Sequence, residues 1–210
     1  MNSLETLTEA IIKGRRKEAV PLTQEAIDKK ADPDSILQAL IQGMDEVGRR
    51  FKANEYFVPE VLISARAMKE CMELLEPVLV EAGLAPEYTA IIGTVEGDLH
   101  DIGKNLVGMM WKGANFKVID LGTNISAAQF AEAAKEHNAD VVGLSALLTT
   151  TMGSMEATVA AIRETCPEKT KVLIGGAPIT QAFAEKIGAD GYAPDAGSAV
   201  EKARSLVGAA

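Results

Sequence analysis

Apolar residues recur at three- and four-residue steps through most of the first 87 residues, and runs of alternating or continuous β-forming residues are missing there. The pattern is plainest where Val58, Leu62, Ala65, Met68, Met72, Leu75 and Leu79 share one face, which predicts a helix from about Pro59 to near Gly83. Leu4 to Ile12, Arg15 to Lys29 and Ser35 to Phe51 make three more amphipathic segments. They are separated by Gly14 and by Ala31-Asp32-Pro33-Asp34, where Asp32 or Asp34 is placed to cap the next helix. Helices joined by such short links predict a small four-helix bundle over residues 1–87.

After Leu84-Ala85-Pro86-Glu87 the pattern changes to short buried runs separated by amphipathic stretches of helical length. Strands are predicted at Thr89 to Val95, Phe116 to Leu121, Ala139 to Leu144 and Lys171 to Gly175, with a weak one at Gly191 to Ala193. Val- and Ile-rich strands alternating with helices imply parallel pairing, because such strands are covered on both faces. Residues 88–210 therefore read as a doubly wound α/β domain. Its ligand is expected outside the carboxyl ends of the strands, where the loops after the first, third and fourth strands converge.

Composition narrows the choice of partners. With 47% hydrophobic residues in 210, the chain can bury ordinary cores and is not expected to be disordered. The 21 basic and 30 acidic side chains give a net charge of −9, which argues against nucleic acid or an anionic membrane as partners. No apolar run approaches the roughly 20 residues of a membrane span, and Met1-Asn2-Ser3-Leu4-Glu5 lacks the basic flank and apolar stretch of a leader. Cys71 and Cys166 stand far apart with no CxxC, so neither a disulfide framework nor a thiolate zinc site is expected. A reducing cytoplasm fits this cysteine usage.

Chemistry concentrates in the loops. The first, Glu96 to Asn105, precedes a helix expected to begin near Ile102 and holds His100, one of only two histidines. Asp98 lies two residues away, and a carboxylate on one ring nitrogen makes the other a better metal ligand. A solvated loop histidine is the ordinary alternative. A metal-dependent phosphohydrolase needs more ligands than this, and His137, in Lys135-Glu136-His137-Asn138, reads as a solvated helix end. A phosphoryl-accepting receiver is excluded because the third strand ends in Gly143-Leu144-Ser145 without an aspartate. The second loop, Ser145 to Met152, offers hydroxyls that either bind a polar ligand edge or cap the next helix. The third, Gly175-Gly176-Ala177-Pro178, either turns the chain or leaves a slot, and the first loop is not the GxGxxG of dinucleotide sites.

Asp98-x-His100-x-x-Gly103, then Ser145-x-Leu147 after 41 intervening residues, then Gly175-Gly176 after 27 more, resembles the pattern of cobalamin-binding domains that hold the cofactor base-off and His-on. The resemblance extends through Gly43-Met44-Asp45-Glu46-Val47-Gly48 and Phe51-x-x-x-x-Tyr56-Phe57-Val58-Pro59-Glu60-Val61, which look like the cap of methionine synthase. The whole chain is similar to the small corrinoid proteins of methyltransferase systems that demethylate methanol, methylamines or methoxylated aromatics. The resemblance thus implies a helical cap over residues 1–87 and a Rossmann-like cobalamin-binding domain over 88–210.

Carried over by position, the resemblance makes His100 the lower axial ligand of cobalt, Asp98 its carboxylate partner and Thr151 the hydroxyl that completes the relay. Asp101, Ile102, Gly103, Ser145, Leu147 and Thr149 would also line the corrinoid, with Gly175 and Gly176 leaving a slot for its nucleotide tail. Phe51, Val58 and Val61 match cap positions over the methyl-bearing face, although bundle core explains their spacing equally well. The implied activity is methyl carriage: cobalt(I) takes a methyl group from a donor, and methylcobalt(III) passes it on. The chain leaves no room for a substrate domain. Its implied partners are therefore a donor-specific methyltransferase, a methylcobamide-dependent methyltransferase acting on a folate or thiol, and a reductive activator. Cap movement about Leu84 to Glu87 is expected for access. The alternatives are the cobalamin-binding subunit of a mutase, disfavoured by residues 43–61, and a cobalamin-dependent sensor, disfavoured by an acidic first half without a basic recognition helix.

Overall fold

The computed structural model describes residues 3–208; Met1 and Asn2, the start of the stretch in which no leader is expected, lie outside the described residues, as do the last two. The chain divides into two compact units, one running through Pro86 and taking in Gly113–Asn115, the other made of Glu87–Lys112 and the chain from Phe116 onward. No described helix is long and apolar enough to cross a membrane.

The first unit contains helices α1 (Ser3–Ile12), α2 (Arg16–Asp28), α3 (Pro33–Lys52) and α4 (Val58–Glu81). Of the two candidate caps, Asp32 caps α3: its carboxylate accepts the Ser35 N–H at 3.0 Å, and Pro33 fills the first helical position, where a missing N–H costs nothing. Leu7, Ile11, Ile36, Leu40 and Met44 are buried between the helices. The face of α4 differs from expectation at its start. Val58 and Leu62 are exposed, and the buried row is Val61, Ser64, Ala65, Met68, Cys71, Leu75 and Leu79. Two bonds to the end of α1 explain the phase: Tyr56 Oη and Ser64 Oγ both donate to the Ile12 carbonyl, at 3.1 and 3.2 Å, which turns Ser64 and Val61 inward.

The second unit is a five-stranded parallel sheet in the order β2-β1-β3-β4-β5, with strands β1 (Thr89–Thr94), β2 (Lys117–Asp120), β3 (Val141–Ser145), β4 (Lys171–Gly175) and β5 (Gly191–Tyr192). Helices α5 (Ile102–Gly113), α6 (Ala127–Glu136), α7 (Met152–Thr165), α8 (Gln181–Ile187) and α9 (Ala196–Val207) connect or follow them. The fold is thus the doubly wound, Rossmann-like α/β domain after a helical bundle that the sequence predicts. Strand ends shift by one or two residues; Val95, for example, leaves β1 and makes a single bridge with Ile125.

Two glycines let the helices close on the sheet. A Cβ on Gly93 would lie 2.7 Å from Cζ of Phe130 in α6, and one on Gly143 would lie 2.6 Å from Cη2 of Trp111 in α5. Each ring occupies space that any other residue would fill, and burial of such a side chain is worth roughly 1.5–3 kcal/mol. From β1 the chain crosses to β2 on one side and from β3 to β4 on the other, so the strand order reverses between β1 and β3, the place where open α/β sheets bind ligands.

Candidate cofactor site

The site is built at the ends of β1 and β3, whose last residues Thr94 and Ser145 are paired in register. After Val95, whose N–H donates to the Ser145 carbonyl at 3.1 Å, the chain turns through Gly97 at φ +84°, a conformation that favours glycine. This turn drives Asp98 into the protein, where it is fully buried. Asp98 Oδ1 accepts the His100 backbone N–H at 3.0 Å and lies 2.8 Å from His100 Nδ1. Oδ2 accepts the N–H groups of Leu147 and Leu148 at 2.7 and 3.2 Å. Thr151 Oγ1 lies 2.9 Å from the same oxygen and 2.9 Å from the Leu148 carbonyl.

Burial works against charge on Asp98. The donors from His100, Leu147 and Thr151 outweigh it and hold the carboxyl well below the usual carboxylate range. An acceptor-only carboxylate facing Nδ1 requires that nitrogen to carry the proton, so in the neutral ring it is Nε2 that has the lone pair. The His100 side chain is 50% exposed, which leaves its outer nitrogen open to the surface while Asp98 holds the inner one. Among the described residues no group of three or more His, Cys, Asp or Glu gathers to hold a metal ion. A lone imidazole suits a metal that arrives with its other ligands already in place, as cobalt in a corrin ring does.

The surroundings fit a broad, partly apolar ligand. Leu99 and Ile102, on either side of His100 in the chain, are 73% and 78% exposed, and Leu147 and Leu148 are exposed beside the Asp98 carboxylate they bind. Gly103, in the first turn of α5, has nothing within 4 Å of where a Cβ would stand. Asp101 accepts the Asn105 N–H through its carbonyl at 2.7 Å and the Asn105 side chain at 3.0 Å, closing that turn. Thr149 is exposed in the short 3₁₀ turn Thr149–Thr151, whereas Thr151 is buried.

The glycines after β4 answer first to the protein's own backbone. Gly176 has φ +130°, and a Cβ there would lie 1.8 Å from the Ala146 carbonyl oxygen; at Gly175 the nearest atom is the Ala193 carbonyl oxygen at 3.1 Å. In the helical unit Val61 has no exposed surface, Phe51 is half-buried, and Val58 is exposed next to the more exposed Phe57.

The loop after β2 also supports the Asp98 turn, although no motif there marks a site. Asn124, at φ +57°, donates its N–H to the Asp98 carbonyl at 3.0 Å and accepts the Gly97 N–H on its side-chain oxygen at 2.8 Å. Asp120 at the end of β2 pairs with the buried Lys104 of α5 and accepts the Gly122 N–H at 2.9 Å. The one signal was Gly122-Thr123-Asn124, a turn whose glycine and asparagine both tolerate positive φ.

Two family models, each described as a B12 binding domain, match residues 3–76 and 88–201. The chain belongs to the B12-binding family. Relatives of this B12-binding protein include a corrinoid protein of Desulfitobacterium hafniense, 42% identical over 99% of both chains. Another is a dimethylamine corrinoid protein of Methanosarcina acetivorans, 43% identical over 91% of this chain and 92% of that one. Among solved structures, the methanol:cobalamin methyltransferase complex MtaBC from Methanosarcina barkeri contains a chain that superimposes with a TM-score of 0.85 at 28% identity, covering 100% of this chain and 81% of that one. A cobalamin-binding protein of Desulfitobacterium hafniense superimposes at 0.81 with 31% identity, covering 97% and 98%. The B12-binding protein described here is therefore a corrinoid protein.

Proposed function

We propose that this corrinoid protein is the methyl carrier of a methyltransferase system, with His100 the protein ligand to cobalt. One donor-specific methyltransferase loads it, from methanol, a methylamine or a methoxylated aromatic. A methylcobamide-dependent methyltransferase unloads it to a folate or thiol, and a reductive activator restores it after oxidation. The relatives that handle dimethylamine and methanol support this class of donor. When bound, the corrinoid supplies a cobalt that accepts and releases the methyl group.

The observation that carries the reading is the relay from Thr151 through Asp98 to His100. Asp98 fixes the tautomer that leaves the Nε2 lone pair free for cobalt. The Asp98 carboxylate, 2.8 Å from Nδ1, would hold the ring in that tautomer and orientation for a cobalt bound at Nε2. Thr151, Leu147 and Leu148 keep that carboxylate charged and in place. Gly103 and the exposed Leu99, Ile102, Leu147 and Leu148 offer an open, apolar surface for a macrocycle, and Phe57 and Val58 give the helical unit an apolar surface of its own.

The test is the absorption spectrum of protein reconstituted with cobalamin, beside that of His100→Ala. The wild type is expected to show a base-off, imidazole-ligated corrinoid and the variant to lack that ligation. Identical spectra would remove His100 from its role.

A further inference from the structure

Three bonds orient the His100 ring from one side, since Asp98 takes both its backbone N–H and Nδ1 through Oδ1 and is itself tied to the β3 loop. Those bonds fix His100 relative to Asp98. They do not fix where the far end of the loop meets α5, which starts two residues later at Ile102. A further bond does: the Thr94 hydroxyl donates to the His100 carbonyl at 2.9 Å.

Thr94 is a rigid place from which to make that bond. Its N–H donates to the Gly122 carbonyl at 2.9 Å, its carbonyl accepts the Ile125 N–H at 3.0 Å, and it sits opposite Ser145 in the parallel ladder. Its side chain is β-branched and fully buried, so it has little rotamer freedom. The turn from Val95 to Asp101 is thus clamped at both ends, by Val95 N–H on the Ser145 carbonyl and by the Thr94 hydroxyl on the His100 carbonyl. The bond gives the hydroxyl of the fully buried Thr94 its partner and ties that rigid side chain to the His100 backbone. Its effect is to hold the residue where its ring stands outward.

We infer that Thr94 is a positioning residue for the axial imidazole, biasing His100 toward the ligand-bound posture through its backbone carbonyl. The inference rests on His100 being the cobalt ligand. A net hydrogen bond of ordinary strength implies about a fivefold bias in the ratio of ligated to unligated imidazole.

The experiment uses the full chain, grown with ¹⁵N-histidine, reconstituted with cobalamin and reduced to paramagnetic cobalt(II). The hyperfine splitting from an axial nitrogen then identifies a protein imidazole by its isotope and measures its occupancy. Thr94→Val, isosteric but without the hydroxyl, is expected to lower the ligated-to-unligated ratio about fivefold. Thr94→Ser is expected to stay near the wild type, and His100→Ala to show no ¹⁵N splitting. Should Thr94→Val fail to fold, Thr94→Ala against Thr94→Ser gives the same comparison. A wild-type ratio in the hydroxyl-less variants, or an equal loss in Thr94→Ser, overturns the inference while His100 stands as ligand. Absence of ¹⁵N splitting in the wild type overturns the proposed function, and this inference with it.

Discussion

Thr151 Oγ1 meets Asp98 Oδ2 at 2.9 Å across 53 residues of chain. The contact joins the loops after β1 and β3, and through Asp98 it reaches the imidazole of His100. Asp98→Asn keeps the shape but removes the charge and turns an NH₂ toward at least one donor. Leaving buried partners unsatisfied in this way costs about 1–3 kcal/mol, and urea unfolding of the apoprotein at neutral pH is expected to show a loss in that range. Unchanged stability would mean that the five contacts on this carboxylate hold nothing in place.

Gly103 separates ligand binding from folding. With open space around it and a helical position in α5, Gly103→Ala is expected to leave the apoprotein as stable as the wild type or more stable by up to about 1 kcal/mol. Cobalamin affinity, measured by spectroscopic titration, is expected to fall, because in the proposed site the added methyl would intrude on the macrocycle. Unaltered affinity would take Gly103 out of the binding surface.

Gly176 makes the opposite case. Its Cβ would collide with the Ala146 carbonyl at a backbone angle that L residues rarely adopt. Gly176→Ala is therefore expected to lower the stability of the cofactor-free protein by about 3 kcal/mol or more, visible as an earlier thermal transition without any ligand. A stable apoprotein that merely binds cobalamin poorly would show that the slot serves the ligand alone.

Acid sensitivity in the helical unit centres on Glu46, whose carboxyl is held down to about 2 by hydrogen bonds from Arg49 and then Arg50. A folded pKa below the unfolded value adds stability that is present above about pH 4.5 and disappears as the pH falls from there toward 2. Arg49 is largely exposed and solvent screens the pair, so Glu46→Gln is expected to cost no more than about 1 kcal/mol at pH 7. The wild-type advantage in unfolding free energy should shrink between pH 4.5 and 2. An advantage that persists unchanged to the acid end would assign the effect to packing.

Much of the site was legible in the sequence because its chemistry sits in short segments. Asp98 and His100 are two residues apart, and their bond depends mainly on the local turn at Gly97. The helices and strands were legible because burial on one face or on two leaves a period of 3.6 or a continuous apolar run. The inward row of α4 departs by one residue at its first turn from the row the sequence predicts, since Val58 and Leu62 look apolar whether or not anything covers them. Tyr56 and Ser64, by reaching the Ile12 carbonyl of another helix, decide which row turns inward.

By itself, then, the sequence determined the order of helices and strands, their parallel winding, the acidic character of the chain and a histidine with a carboxylate beside it. Only the tertiary structure decided that Thr151 and the Leu147 and Leu148 amides keep that carboxylate charged, that Thr94 and Asn124 hold its loop, and that Ala146 excludes a side chain from Gly176. The physical reason is range. Periodicity and turn chemistry act over a few residues, whereas these contacts form only when strands far apart in the chain pair in one register and bring their ends to the same edge.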